Sequence, residues 1–521
     1  MRRRMAAFLV VVLSISLITS TRIKAEVRME PGQIASDSYE EGVVLVKYVA
    51  KAPHMEGVTL VEEYSFPSFF IGRFQSKRYT TEQLMVAFEQ LDDVIYVEPD
   101  YKYKSYAITE EDIDDNQWKI GTQEEGFDRL EEESIAASYS FRQLITATEK
   151  KAETVIAVLD TGVDYMQPSL VEHMWTNHTT LPGKHGYDFI NEDLNPMDDD
   201  GHGTKCATMI VEESKSPVEI AGFYPNIKLM TVKALDDKGI GLTSSIVQAY
   251  QYVIHAKDQG ANVIAISDAF GSIHPSKVLE DVIIEAGDKG ILSVCTTKNF
   301  QSISQEEKSY PASYLSPYVI VATPGITAKV AILAQLFPEE AAARIRARVI
   351  GSDEHIVTTG VIDFAKQINL EKAIHNPLAV INRLDSIKGE LTLTGYFFGE
   401  EEGSVAINGE SVPVIQWEDT GVTVSYNHDF DGVATVTLFR GDDLSTTEQH
   451  LALTSIKYAL DEAKAQPSNA PIQEKGQRNR EVNKSDNAAE GWLWTFVIVA
   501  AIIVAGLIIL VFLFGRKNRK R

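Results

Sequence analysis

The chain has 521 residues, 49 of them basic and 74 acidic, for a net charge of −25. Ten of the basic residues fall in the first 25 and last six positions, which hold no acid, so everything between carries 74 acidic against 39 basic residues, about −35. Such a surface repels polyanions and excludes nucleic-acid binding as a function. Its two cysteines rule out a multi-disulfide scaffold and any Cys/His zinc framework.

Residues 1–25 combine three consecutive arginines, an apolar stretch from Ala6 to Ile18 and the small-residue exit Ile23-Lys24-Ala25, the pattern of a secretory signal. Residues 40–105 follow as a compact αβ unit, with EGVVLVKYVA, VEEYSFPSFFIGRF and VIYVEPDYKYKS as strand-like runs. Between them, Thr80 or Thr81 caps a helix that places Leu84, Phe88 and Leu91 on one face.

The apolar run Val155 to Leu159 reads as a buried strand that delivers Asp160 to its C-terminal edge, where open parallel sheets place their sites. A Gly-rich turn then sets His202 in the first turn of a helix through Val211. A buried carboxylate fixes an imidazole's tautomer and stabilises its protonated form when the ring takes a proton from a hydroxyl. Asp160 and His202 suit those two roles. Ile246, Val247, Tyr250, Val253 and Ile254 recur at helical spacing, with Gly260 to close the helix and Val263–Ile266 as the next strand. A second unit has a helix near Val278–Lys289 and a strand at Ile291–Val294. Repeated βα units imply a parallel sheet covered on both faces.

VIAVLDTGVDY and DDDGHGTKCATM, in that order, resemble the Asp and His segments of subtilisin-like serine peptidases, and the resemblance extends over most of residues 40–374. It implies an α/β fold: a subtilisin-like parallel sheet with helices on both faces over 116–374. Before it stands a small αβ domain at 40–105, similar to an inhibitory propeptide whose VEPDY-like tail enters the cleft; QWKIG around Trp118 resembles the link. TTKNF puts Asn299 where the family keeps the side-chain amide of its oxyanion hole.

Two departures stand out. SDAFGS inserts Asp268 into the edge that the family pairs with substrate, and the Gly-Thr-Ser-Met-Ala-like nucleophile segment is absent. The helix that should carry it survives as PGITAKVAILAQLFPEEAAARIRARV, with Pro324 near the place of the Ser and 25 residues after Asn299. The nearby hydroxyls of Ser302, Ser304, Ser313, Ser316, Thr323 and Thr327 read as loop or cap groups. Removing the Ser of a subtilisin lowers turnover about a million-fold. An attached propeptide would then stay in the groove.

The acidic runs Asp198–Asp200 and Glu400–Glu402 lack a calcium-loop spacing and read as solvated loop acids. No cofactor is expected, with structural calcium as the alternative. Cys206 and Cys295 read as small core residues, with a disulfide between them the alternative outside the cell.

Residues 378–457 alternate apolar and polar positions, at Leu391 and Leu393, Val405 and Ile407, Val422 and Val424, and Ala434, Val436 and Leu438, with Asn408-Gly409 as a hairpin turn. That pattern indicates a β-sandwich, and GYFFG gives it a resemblance to IPT/TIG immunoglobulin-like domains. Residues 461–490 read as a flexible stalk. Residues 492–514 are uncharged and long enough for a transmembrane helix, and the basic tail 515–521 keeps the C-terminus cytoplasmic. The expectation is an ectodomain anchored outside the cell: a subtilisin-like pseudo-peptidase that binds a peptide or protein ligand or acts as a scaffold. The alternatives are an active cell-surface endopeptidase with a displaced nucleophile, and a structural adhesin led by the sandwich.

Overall fold

Four strands and one helix build the first layer of the molecule. In the computed structural model, which describes residues 38–106, 153–215, 226–297, 308–352, 368–387, 389–426, 433–442 and 446–452, this layer spans the first of those segments. The expected signal (1–25), the link at Trp118, Asn299, the stalk (461–490), the span 492–514 and the tail 515–521 lie outside the described residues. Among the described residues no helix is long and apolar enough to cross a membrane.

Strands β1 (Tyr39–Tyr48), β2 (Thr59–Ser65), β3 (Phe70–Gln75) and β4 (Val94–Ser105) form an antiparallel sheet in the order β4-β1-β3-β2. Helix α1 (Thr81–Glu89) covers one face of it. Thr80 is its cap: the hydroxyl accepts from the Gln83 amide and the Gln83 side chain accepts from the Thr80 amide. Thr81 turns inward, where its hydroxyl accepts from the Gly42 amide. Leu84 and Phe88 are fully buried against Val44, Val46 and Phe74.

The α/β layer runs β5 (Thr154–Asp160), β6 (Gly186–Asp188), α2 (His202–Lys215), β7 (Ile227–Lys233), β8 (Ile240–Leu242), α3 (Thr243–Asp258), β9 (Val263–Asp268), β10 (Phe270–Gly271), α4 (Lys277–Asp288), β11 (Leu292–Cys295), β12 (Val319–Val321), α5 (Ile326–Leu336), α6 (Ala342–Ile350) and α7 (Leu370–His375). Six of these strands form one parallel sheet in the order β12-β11-β9-β5-β7-β6. All seven residues of β5 are buried, as a central strand covered on both faces requires. Helices α2 and α5 pack on one face and α3 and α4 on the other. Gly260, at φ +99°, follows the last turn of α3, and Gly290, at φ +81°, that of α4, which is the conformation that ends a helix and favours glycine.

The long helix expected from Pro324 onward is two. It breaks between Leu336 and Ala342, where Pro338 supplies no amide and clashes with a continuing helical turn. Cys206 and Cys295 are both free and buried, in the cores on opposite faces of the sheet, so the disulfide alternative is set aside.

The remaining strands are β13 (Val380–Ile387), β14 (Glu390–Tyr396), β15 (Ser404–Ile407), β16 (Glu410–Val412), β17 (Val414–Glu418), β18 (Gly421–Ser425), β19 (Val433–Phe439) and β20 (Thr446–Ala452). They form two antiparallel four-stranded sheets, β13-β14-β18-β17 and β16-β15-β19-β20. Leu391, Leu393, Val422 and Val424 from the first meet Val405, Ile407, Val436 and Leu438 from the second in one core. Asn408 and Gly409, both at positive φ, turn the chain between β15 and β16.

Candidate active site

Asp160 ends β5 and His202 begins α2, so the parallel sheet and the helix above it bring acid and base together. His202 Nδ1 lies 2.7 Å from Asp160 Oδ1, which also accepts from the Thr161 amide at 2.7 Å. Burial pulls the imidazole pKa down, but the bond to Asp160 and its charge outweigh that and leave it raised. Cys206, one turn along α2, donates to Asp160 Oδ2 at 3.6 Å and lies 3.9 Å from His202 Nδ1. Burial and the Asp160 charge hold its thiol well above the usual range, so it is a neutral neighbour. One ligand atom from each of Asp160, His202 and Cys206 falls within 4.8 Å of the others, but a metal there would have to replace the Asp160–His202 bond.

The loop before His202 is built, not merely solvated. Asp198 accepts from the Thr161 hydroxyl at 2.8 Å and from the amides of Gly201 and Thr204 at 2.9 Å each. These bonds hold its carboxyl below the usual range despite the opposing effect of burial. Asp199 pairs with the fully buried Lys233, whose ammonium also donates to the carbonyl oxygens of Thr161 and Leu235. The reading of Asp198–Asp200 as solvated loop acids is corrected for Asp198; Asp199 and Asp200 are exposed, with Asp200 accepting from the His202 amide. Glu400–Glu402 are exposed, as expected.

Asp268 does not interrupt the edge. It is buried and turns inward, accepting from the Tyr250 hydroxyl at 2.5 Å and Cys295 Sγ at 3.8 Å, and burial pushes its carboxyl up to about 7. The edge is formed by the next residues. β10 pairs with the end of β4 on one side, and β8 pairs with it on the other. Tyr106, just past β4, donates its amide to Ala269 O at 3.0 Å, and its own carbonyl oxygen lies 2.6 Å from His202 Nε2.

The same strand caps two helices of the α/β layer. Asp100 accepts from the Ser244 amide and hydroxyl at 2.9 and 2.8 Å at the start of α3, and from Arg73 Nε at 2.9 Å. Glu98 accepts from the Ser276 hydroxyl and from the amides of Lys277 and Val278 at the start of α4. Burial raises both carboxyls, Glu98 to about 7. Sequence reasoning noted VEPDY as a tail but missed these two roles. An acid in a strand facing two helix N-termini was the available signal.

The nucleophile end is different. Gly325 packs beside Met209 and Glu213, in the second half of α2, and Lys329 pairs with Glu213 at 3.0 Å. At 1.5 Å rise per residue these contacts lie roughly 10–16 Å along α2 from His202. In the sheet, β12 stands three strands from β5, roughly 14 Å at the usual strand spacing. Neither Pro324 nor any residue of α5 reaches the imidazole. Ser313 and Ser316 hydroxyls accept from the amides of Ser309 and Tyr318, Thr327 is buried in α5, and none of them touches His202. Among the described residues no hydroxyl bonds the ring. Ser302, Ser304 and Asn299 lie outside the described residues.

Residues 151–324 match the model of the subtilase family, Peptidase_S8. The thermophilic serine proteinase of Bacillus sp. (strain AK1) is 38% identical over 161 residues, covering 30% of this chain and 35% of that protein. Thermitase of Thermoactinomyces vulgaris is 31% identical over 170 residues, 32% of this chain and 54% of the relative. Fervidolysin of Fervidobacterium pennivorans, described as a keratinolytic enzyme related to subtilisin, aligns with TM-score 0.47 and 16% identity over 78% of this chain and 72% of that one. The chain thus spans between about a third and about half the length of the first two relatives. Asp160 and His202, paired at the edge of the parallel sheet, both lie within the stretch 151–324 that is similar to subtilisin-like serine peptidases of the S8 family.

Proposed function

We propose that the chain is a membrane-anchored, extracellular pseudo-peptidase whose cleft binds an extended peptide, its own N-terminal strand being the resident one. The observation that carries this reading is the pair of contacts at His202. Nδ1 is held by Asp160 and Nε2 by the Tyr106 carbonyl, while α5 begins two to three helical turns away. Asp160 and His202 then act as a polar clasp that joins strand, helix and N-terminal domain. The N-terminal domain serves as a propeptide that stays attached. The β-sandwich, read as an IPT/TIG-type module, spaces the cleft from the membrane, with 461–490 as stalk and 492–514 as anchor.

A second reading has one observation in its favour. The bond after Tyr106 stands beside an intact acid–base pair, which is the arrangement a peptidase needs just before it cuts its own propeptide. In that case a hydroxyl outside the described residues attacks, and Tyr106–Ala107 is the junction cut. A serine-directed fluorophosphonate separates the two. The pseudo-peptidase leaves the probe unreacted; labelling that His202→Ala abolishes overturns it.

A further inference from the structure

The seam between the α/β layer and the β-sandwich holds a cavity of about 230 Å³. Arg344 and Arg348, one turn apart on α6, line it together with Arg440, just past β19, and only one carboxylate, Asp419, stands among the lining groups. That wall is positive in a chain of net charge −25. The carboxylates that orient two of the arginines lie outside the lining. Glu340 accepts from Nε and Nη2 of Arg348 at 2.7 and 2.6 Å, and Asp442 accepts from Nε and Nη2 of Arg440. Arg348 Nη1 donates to the carbonyl oxygens of Ala373 and Ile374 at 2.8 and 3.1 Å, so the negative end of α7 already has its cation. Asp419 is itself engaged, by the Gly399 amide at 3.0 Å and Arg344 Nη1 at 3.2 Å.

Donors are left over. A guanidinium carries five N–H groups. Arg344 uses one on Glu340 at 3.4 Å and one on Asp419, and its Nη2 has no acceptor among the described residues. Arg440 Nη1 has the Pro377 carbonyl oxygen alone, at 3.5 Å. An aromatic wedge holds the arginines as well. Phe397, in the turn after β14, is buried in the core of the α/β layer and not in that of the sandwich, and its ring centroid lies 4.4 Å from Arg344 Cζ and 5.1 Å from Arg348 Cζ. Its φ is +64°, a conformation that a bulky residue keeps only where its surroundings enforce it, as at ligand clamps.

Fixed guanidiniums with spare donors in their planes match a tetrahedral oxyanion, whose oxygens accept several of them at once. The cavity is smaller than the roughly 300–1,000 Å³ of sites for drug-sized molecules, and the acidic surface repels polyanions, so the ligand is small. We infer that this seam binds a phosphate group, carried by inorganic phosphate or by a small phosphomonoester. Arg344 Nη2 and Arg440 Nη1 are the donors that meet it, and Arg348 adds its charge. A phosphate held there joins α6 to the sandwich. The site is separate from the cleft and stands whether or not the cleft holds a peptide.

Isothermal titration of the full chain with inorganic phosphate and with glycerol 3-phosphate reads the site directly. Saturable binding of one equivalent is expected, weakened about 10- to 100-fold by Arg344→Gln and by Arg440→Gln. Arg440→Lys keeps the charge but not the fork and should weaken it about 3- to 10-fold. Tighter binding of the ester assigns a phosphomonoester, and equal or weaker binding of the ester assigns the free ion. If neither ligand saturates by about 10 mM, or if both glutamine variants bind as the unaltered chain does, the guanidiniums only fasten the sandwich and the inference falls. Should the glutamine variants fail to fold, unchanged binding in Arg440→Lys overturns it.

Discussion

Around His202 and around Gly325 the same fold has been treated in opposite ways. The first neighbourhood keeps its geometry: a carboxylate 2.7 Å from the imidazole, a loop tied down by Asp198 and Lys233, and a peptide strand paired on both sides. In the second, β12 and α5 are joined by only four residues, Ala322–Gly325, beside the far half of α2. An acid–base pair that also fastens a strand to a helix has a structural use without chemistry. The helix at the second neighbourhood, α5, is almost wholly buried.

Removing a group from the kept side should cost most where charge is buried. Asp100→Ala would leave the Arg73 guanidinium with Glu40 as its remaining carboxylate partner and the start of α3 uncapped, and is expected to destabilise the docked N-terminal domain by about 3 kcal/mol in denaturant melts. Asp100→Asn, which keeps an acceptor, should cost less.

The pH dependence is the next largest effect. Glu98 is raised from its ordinary value to about 7 by burial, so the docked state holds a proton that the undocked state releases. That stability is fully present below about pH 4.5 and is lost as pH rises through 7, amounting to up to about 3 kcal/mol. The raised imidazole of His202 has the same sign, favouring the seated strand at acid pH. Melts at pH 5 and pH 8 should differ accordingly, and Glu98→Gln should flatten the difference. A chain that docks more firmly at pH 8 would show that the helix N-terminus, not burial, governs Glu98.

Gly271→Ala pushes a methyl into the Tyr106 pocket and should weaken docking by about 1–3 kcal/mol, seen as faster proteolysis after Tyr106 without loss of the sandwich. Gly409→Ala, at φ +81° in open space, should cost about 1 kcal/mol in the β-sandwich alone. An equal effect of Gly409→Ala on strand exchange would join regions that the first comparison keeps apart.

What could be read from the sequence was what periodicity and local caps dictate. The strand ending in Asp160, the helix opening on His202, the faces of α1 and α3 and eight of the nine alternating positions named in the sandwich lie where spacing puts them. Asp268 was misread because its side chain answers to Tyr250, a partner 18 residues away, and not to the edge it adjoins in sequence. Asp198 and Asp199 looked like a charge run because Thr161 and Lys233 meet them only in the fold. Tyr106 had no signal at all: its meaning comes from Ala269, His202 and Ser309, three elements that the folded sheet alone brings together.

The direct test of a cleft filled by its own uncut strand is the mass of the peptide spanning Tyr106 and Ala107, recovered from the purified full chain. The account predicts that this junction is intact and remains so on incubation. A break at Tyr106–Ala107 that disappears in His202→Ala would contradict it, because only a working nucleophile beside that imidazole could make the cut.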